Sequence, residues 1–212
     1  MMTPMIHYIT HWYPELHGPR RCELSQTIGI QLCDPHIISV SLVANKDRPS
    51  FAQLASYGRV EDGVINVLMN TDCYIDPCDM PLLQGIGPKD VWCLSRVDNC
   101  YACSQDVWVW RGTLEVPQAT YALGILGCDS RFAYDCATTG RIPSNPALSI
   151  KVHHTHASGR RTYTEQSRLK LPYLFLKPTL LGEAPVLMLR GGGPVERDRV
   201  AHLKPYYGDI KV

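Results

Sequence analysis

Asn70-Thr71-Asp72 is the segment of this sequence whose residue types could do chemistry where they stand. It follows directly on Val64-Ile-Asn-Val-Leu-Met69, an apolar, β-branched run, and leads into Cys73-Tyr-Ile-Asp76. A buried strand that stops abruptly in polar residues delivers its carboxylate to the carboxyl edge of a sheet, where open α/β folds bind ligands. Asp72 placed there can hold a hard divalent cation against a diphosphate. The same residues also suit an Asx-type turn, which ends many strands without any chemistry.

Two further groups invite a chemical reading. Gly127-Cys128-Asp129 precedes Ser130 to Thr139, where Phe132, Ala133, Cys136 and Ala137 form an apolar stripe, and Gly140 sits where a C-terminal cap belongs. Asp129 is therefore expected at the mouth of a helix, close to the N-cap. It can satisfy free backbone N–H groups there. It can also act as a general base, kept ionised at neutral pH by the helix dipole. Leu148-Ser-Ile-Lys-Val-His-His-Thr-His156 alternates as a strand, with Leu148, Ile150, Val152, His154 and His156 on one face. Imidazole suits Mn²⁺-like or Zn²⁺ ions, although a strand-end His is also a common structural residue. Arg160 and Arg161, just beyond, could neutralise leaving phosphates.

These groups need a scaffold, and the pattern supplies one. Met5–Tyr13 reads as a first strand, and Arg20–Leu32 as a helix whose stripe is Leu24, Ile28 and Leu32. Strands follow at 37–43, 64–69, 91–95 and 107–110, with room for one helix near 50–57. Such alternation favours α/β with a mixed, mainly parallel sheet. From about Lys170 the prolines and Gly191-Gly192-Gly193 predict an irregular, partly basic extension over 170–212, appended to a domain of 1–169. Arg190-Gly-Gly-Gly193 is either a turn or an anion nest.

Composition narrows the classes. With 212 residues, 45% hydrophobic, 19% charged and a net charge of +1, the chain has no global basic field that demands nucleic acid. The first residues do not read as a signal peptide and no apolar run is long enough to span a bilayer, so a cytoplasmic protein is expected, in a host cytoplasm if the chain is viral. The 9 cysteines fit a reduced chain using Cys as a small core residue. Cys100 and Cys103 have zinc spacing, but no second Cys-x-x-Cys completes a site.

The order of several pieces carries a resemblance. Asn-Thr-Asp-Cys-Tyr-Ile-Asp (70–76), Leu-Ser-Arg (94–96), Ser-Gln-Asp-Val-Trp-Val-Trp (104–110), Leu-Gly-Ile-Leu-Gly-Cys-Asp-Ser-Arg (123–131), Asn-Pro (145–146) and His-Thr-His (154–156) follow one another. Over roughly residues 5–163 the chain resembles nucleotide-sugar-dependent glycosyltransferases of the GT-A fold, a Rossmann-like α/β domain. The resemblance implies a nucleoside diphosphate sugar as donor, a UDP-sugar foremost, and a divalent metal, Mn²⁺ or Mg²⁺. Asn70-Thr71-Asp72 would stand for the Asp-x-Asp motif, with Asn70 a departure that weakens metal affinity. Asp72 with His154 or His156 would be metal ligands, and Asp129 the general base of an inverting enzyme, with Asp106 the second candidate. Arg96, Gln105 and Trp108 would line the donor or acceptor sugar, although Trp108 and Trp110 also suit a strand core.

Two acceptors fit that resemblance. One is a hydroxymethylated pyrimidine in double-stranded DNA, favoured by the basic extension. The other is a polysaccharide or small glycoside. A metal-dependent phosphodiester hydrolase built from Asp72, Asp76, His153, His154 and His156 is the rival from another class. A nucleotide-sugar-binding module without catalysis is a third.

Overall fold

Period-two alternation decides where each strand sends its side chains, and here both faces of the sheet are covered. The computed structural model describes residues 4–12, 18–44, 47–98, 104–155, 168–191 and 193–207. Its strands are β1 (Met5–Trp12), β2 (Ile37–Ala44), β3 (Val64–Met69), β4 (Cys73–Ile75), β5 (Asp90–Leu94), β6 (Val107–Arg111), β7 (Ile142–Ser144), β8 (Val152–His154), β9 (Tyr173–Lys177) and β10 (Val186–Arg190). The helices are α1 (Gly18–Leu32), α2 (Phe51–Ala55), α3 (Cys128–Thr138), α4 (Pro194–Arg199) and α5 (Lys204–Tyr207).

A 6-stranded sheet runs in the order β2-β1-β3-β6-β5-β7. Its strands are parallel except β6, which is antiparallel to both β3 and β5. This is the mixed, mostly parallel α/β sheet of a Rossmann-like fold. Ile65, Val67 and Met69 of β3 join one core with Ile6, Tyr8, Val107 and Val109. Leu68 faces the other core with Ile9, Trp108, Trp110 and Phe132. Burial on both faces is why β3 reads as an unbroken apolar run.

α1 departs from its expected stripe. Its buried residues are Arg20, Leu24, Thr27 and Gln31, while Leu32 is 55% exposed. The helix is rotated because its inner face meets polar partners. Thr27 Oγ1 bonds Thr155 Oγ1, Gln31 donates to the Cys73 carbonyl, and Arg20 reaches Asp72.

The strand expected over 148–156 is also shorter than its alternation implied. The Pro146 carbonyl accepts from the N–H of both Ser149 and Ile150, so the chain turns before it extends, and Leu148 is exposed. Among its described residues only Val152–His154 pair as a strand, antiparallel to β4.

Within 170–212, the described residues are not irregular as the prolines suggested. β9 and β10 form an antiparallel hairpin, and Leu174, Leu176, Leu187 and Leu189 enter the core beside Phe132. Pro172, Pro178, Pro185 and Pro194 bound these elements rather than interrupt them, and apolar alternation survives between them. Asn145 fastens the hairpin to the sheet: its amide donates to Ser95 Oγ at 2.8 Å and to the Leu176 carbonyl at 3.0 Å.

Candidate functional site

The reversal of β6 concentrates polar residues on one edge. β3 runs out into Asn70–Asp72, and β6 enters from the same edge, so the Asn70 N–H donates to the Asp106 carbonyl at 3.0 Å. β5 leaves Ser95 and Arg96 there, with Leu94 opposite Val107. β4 and β8 pair just beyond, Cys73 opposite His154. This is the carboxyl edge, where an open α/β sheet offers a crevice.

Asp72 is the hub. Its Oδ2 accepts from Arg20, and His154 Nε2 lies 3.1 Å from the same oxygen. Its main-chain carbonyl accepts from the Thr155 N–H at 2.8 Å and Oγ1 at 3.1 Å. Arg20 also reaches Glu23 at 3.0 Å and the Thr155 carbonyl at 3.3 Å, so its guanidinium ties α1, β4 and β8 together. On the far side of His154, Arg96 lies 2.7 Å from Nδ1, with its Nε 3.3 Å from Asp106 Oδ2 and 3.4 Å from Asp98 Oδ1. Asn70 closes the ring by donating to Asp106 Oδ1 at 2.6 Å.

Asp129 joins this group from α3. The cap is Gly127, with φ +83°, and Asp129 lies in the first turn rather than at the cap. The residue as a whole keeps some exposed surface, but its carboxyl is enclosed and pushed up to about 7. Burial is the main cause and the Asp106 charge the second, against hydrogen bonds from the Cys128 thiol and the Gln105 N–H. The helix N-terminus therefore does not keep Asp129 fully ionised at neutral pH: desolvation and a like charge outweigh the dipole. Asp106 is held above the ordinary carboxylate range by burial, with Arg96 opposing and Asp72 adding to the rise.

Gly127 is fixed by geometry. Its φ lies in the left-handed region, and a Cβ would fall 2.7 Å from the Tyr173 hydroxyl. Tyr173 in turn donates to the Leu169 carbonyl, so β9 presses on the turn that presents Asp129.

A divalent cation meets a poor fit among the described residues. Asp72, Cys73 and His154 bring one donor atom each within 4.8 Å of one another. A guanidinium has only N–H donors, so the contact with Arg96 makes His154 Nδ1 the acceptor. Nε2 then carries the proton and donates to Asp72, which leaves neither ring nitrogen a lone pair for a metal. Burial holds the Cys73 thiol well above its usual range, so it stays protonated.

The other predicted residues divide. Asn70, Asp72, Arg96, Asp106, Asp129 and His154 belong to the ring or touch it. Trp108 does not line a sugar site: it is fully buried, edge-on to Phe51 at 4.9 Å and to Phe132 at 5.8 Å. Its register sets it inside β6 opposite Leu68, in the core rather than at the polar edge, and Trp110 with it. The Gln105 side chain is likewise fully buried, and the residue's backbone N–H serves Asp129 instead. His156, Arg160, Arg161, Cys100 and Cys103 lie outside the described residues. The five-residue hydrolase cluster splits, because His153 stacks on Tyr74 at 5.0 Å and meets Asp76 at 3.3 Å, on the face of the β4–β8 pair opposite His154. The seven described cysteines, Cys73, Cys93, Cys128 and Cys136 among them buried, are all free thiols.

Arg20, Glu23, Thr155 and Asp98 were not foreseen as site residues. The sequence did carry a sign of Arg20: Arg20, Leu24, Thr27 and Gln31 recur at helical spacing in the first βα unit, whose entry faces the carboxyl edge. Searched against known proteins, the chain matches no family model, no curated protein and no solved structure. Among the described residues no helix is long and apolar enough to cross a membrane.

Proposed function

We propose that this chain is a glycosyltransferase that moves a sugar from a nucleoside diphosphate sugar to an acceptor hydroxyl, with inversion. The observation that carries the reading is the convergence of Asp72, Asp106, Arg96 and His154 at the carboxyl edge of the sheet, with Asp129 brought beside Asp106 and its carboxyl pushed up to about 7 by burial and the Asp106 charge. A base with a pKa near the working pH combines a usable ionised fraction with a real driving force for proton uptake. Arg96 in the same ring offers guanidinium donors suited to phosphate oxygens.

In the step itself, the acceptor oxygen forms a bond to the anomeric carbon as the bond from that carbon to the phosphate oxygen breaks. The electron pair leaves with the nucleoside diphosphate, and the acceptor proton passes to Asp129. Asn70 and Arg96 hold Asp106, which keeps a negative charge near Asp129 and raises its basicity.

For the acceptor, exposed Lys170, Lys177, Arg190, Arg197, Arg199 and Lys204 favour a hydroxymethylated pyrimidine in DNA over a glycan. Lys170 lies just ahead of the hairpin and the others on it or on the helices that follow, and the hairpin seats the turn before Asp129. A base inside a duplex must be extruded to be reached.

The test is a panel of nucleotide sugars, followed by nucleoside diphosphate release with hydroxymethylated DNA, with unmodified DNA and with simple glycosides. Release that requires hydroxymethylated DNA and weakens steeply with salt supports both parts. Release with glycosides alone moves the acceptor to a glycan. No release with any donor, or undiminished release from Asp129→Asn, ends the proposal.

A further inference from the structure

We infer that Arg20 stands at Asp72 in the place of a divalent cation, so that the site works without metal and Arg20 keeps metal out. The inference deepens the glycosyl-transfer reading and rests on it for the identity of the diphosphate, but not for the behaviour of the site toward metal.

Three observations converge. The side chain of Arg20 is only 6% exposed, yet it is aimed at the polar edge rather than at solvent. Its guanidinium meets acceptors from three elements, Glu23, the Thr155 carbonyl and Asp72 Oδ2. A buried guanidinium with its donors used in this way is a fixed positive charge, and it occupies the oxygen that a metal would need. His154 is committed on both nitrogens, to Arg96 and to Asp72. The carboxylate already has its counter-charge from within the chain.

Asn70 fits the same picture. An Asp at that position would add a third carboxylate beside Asp72 and Asp106, which a cation would balance. The amide instead donates to Asp106 at 2.6 Å. The motif has exchanged a ligand for a hydrogen-bond donor.

Removing Arg20 should open the site. With the guanidinium gone, Asp72 loses its counter-charge while His154 Nε2 stays 3.1 Å from Oδ2, so a cation can supply the missing charge and compete with that hydrogen for the carboxylate.

The experiment titrates Mn²⁺ into the full chain and into Arg20→Ala and Arg20→Lys, following heat and the electron-spin signal of free Mn²⁺. The expected result is no binding by the native chain below about 1 mM, affinity at least about tenfold higher for Arg20→Ala, and none gained by Arg20→Lys, which keeps a charge. In a second arm, UDP, GDP and CDP are titrated with chelator and with Mn²⁺, and the best ligand should bind equally in both. Mn²⁺ binding by the native chain that Asp72→Asn abolishes would overturn the inference. A tenfold gain in diphosphate affinity on adding Mn²⁺, or no new site in a folded Arg20→Ala, would do the same. If Arg20→Ala does not fold, the native titration with its Asp72→Asn control decides. If no nucleoside diphosphate binds under any condition, the sugar-donor reading fails, and the Mn²⁺ titration still decides whether Arg20 closes the site.

Discussion

Arg20 and His154 meet on one oxygen, Oδ2 of Asp72, one from the first helix of the chain and the other from a short strand more than a hundred residues later. The contact joins the two ends of the polar edge and, with Arg96 at Nδ1, fixes the tautomer of the imidazole. It also defines which side chains must be tested.

Asp129→Asn should reduce transfer by about 10²–10⁴-fold, the range expected on removing a general base. Nucleoside diphosphate binding should stay within about twofold, because the amide keeps the shape and the N–H contact. A single-turnover assay beside a binding titration separates the two.

The same substitution should make the protein more stable at pH 8. The folded pKa of Asp129 is raised, to about 7, above its unfolded value, so its contribution is fully present at low pH and is lost as pH rises through about 7. Asparagine has no charge to bury. A gain of ~1 kcal/mol corresponds to about 2–4 °C in Tm at pH 8, and the gain should shrink as pH falls from about 7 and vanish below about pH 4, where the unfolded carboxyl is protonated as well.

The rate should fall about tenfold per unit as pH drops below 7, as Asp129 takes up its proton. In Asp106→Asn the neighbouring negative charge is gone, so the acidic limb should move to lower pH. A limb that stays in place would show that Asp129 does not set it.

Trp108→Ala should cost about 3–5 kcal/mol by emptying the space between Phe51 and Phe132. Trp108→Phe should keep KM for the donor within about twofold, since the ring touches no ligand. A selective rise in donor KM would return Trp108 to the site.

Gly127→Ala should destabilise by about 1–3 kcal/mol, from a side chain at φ +83° and a clash with the Tyr173 hydroxyl. Adding Tyr173→Phe should recover part of that loss, measured as a double-mutant cycle by chemical denaturation.

The backbone of the site was legible in sequence because it rests on period. Val64–Met69 ended where its polar tripeptide began, and the antiparallel pairing of β3 with β6 then placed Asp106 beside Asn70. Side-chain direction was less legible. Asp106 and Trp108 are two residues apart in a run, and only the register shows that the first stands at the entry of β6 on the polar edge while the second is core. α1 misled for a related reason: an apolar count favoured Ile28 and Leu32, whereas its inner face carries Arg20, Thr27 and Gln31 for polar partners distant in sequence. The hairpin was hidden by its prolines, which punctuate a sequence equally whether they break elements or separate them. No local pattern could have paired Arg20 with Asp72, because that contact exists only after α1 has docked.

The hydroxyl of Tyr173 above Gly127 bears on how far the chain can be shortened. A protein ending before β9 would keep every acidic and basic group of the polar edge. It would lose the aromatic lid on the turn ahead of Asp129 and the leucines packed against Phe132. Such a truncation is therefore expected to remain insoluble or loosely folded rather than yield a minimal catalytic unit, and the last forty or so residues count as part of the engine.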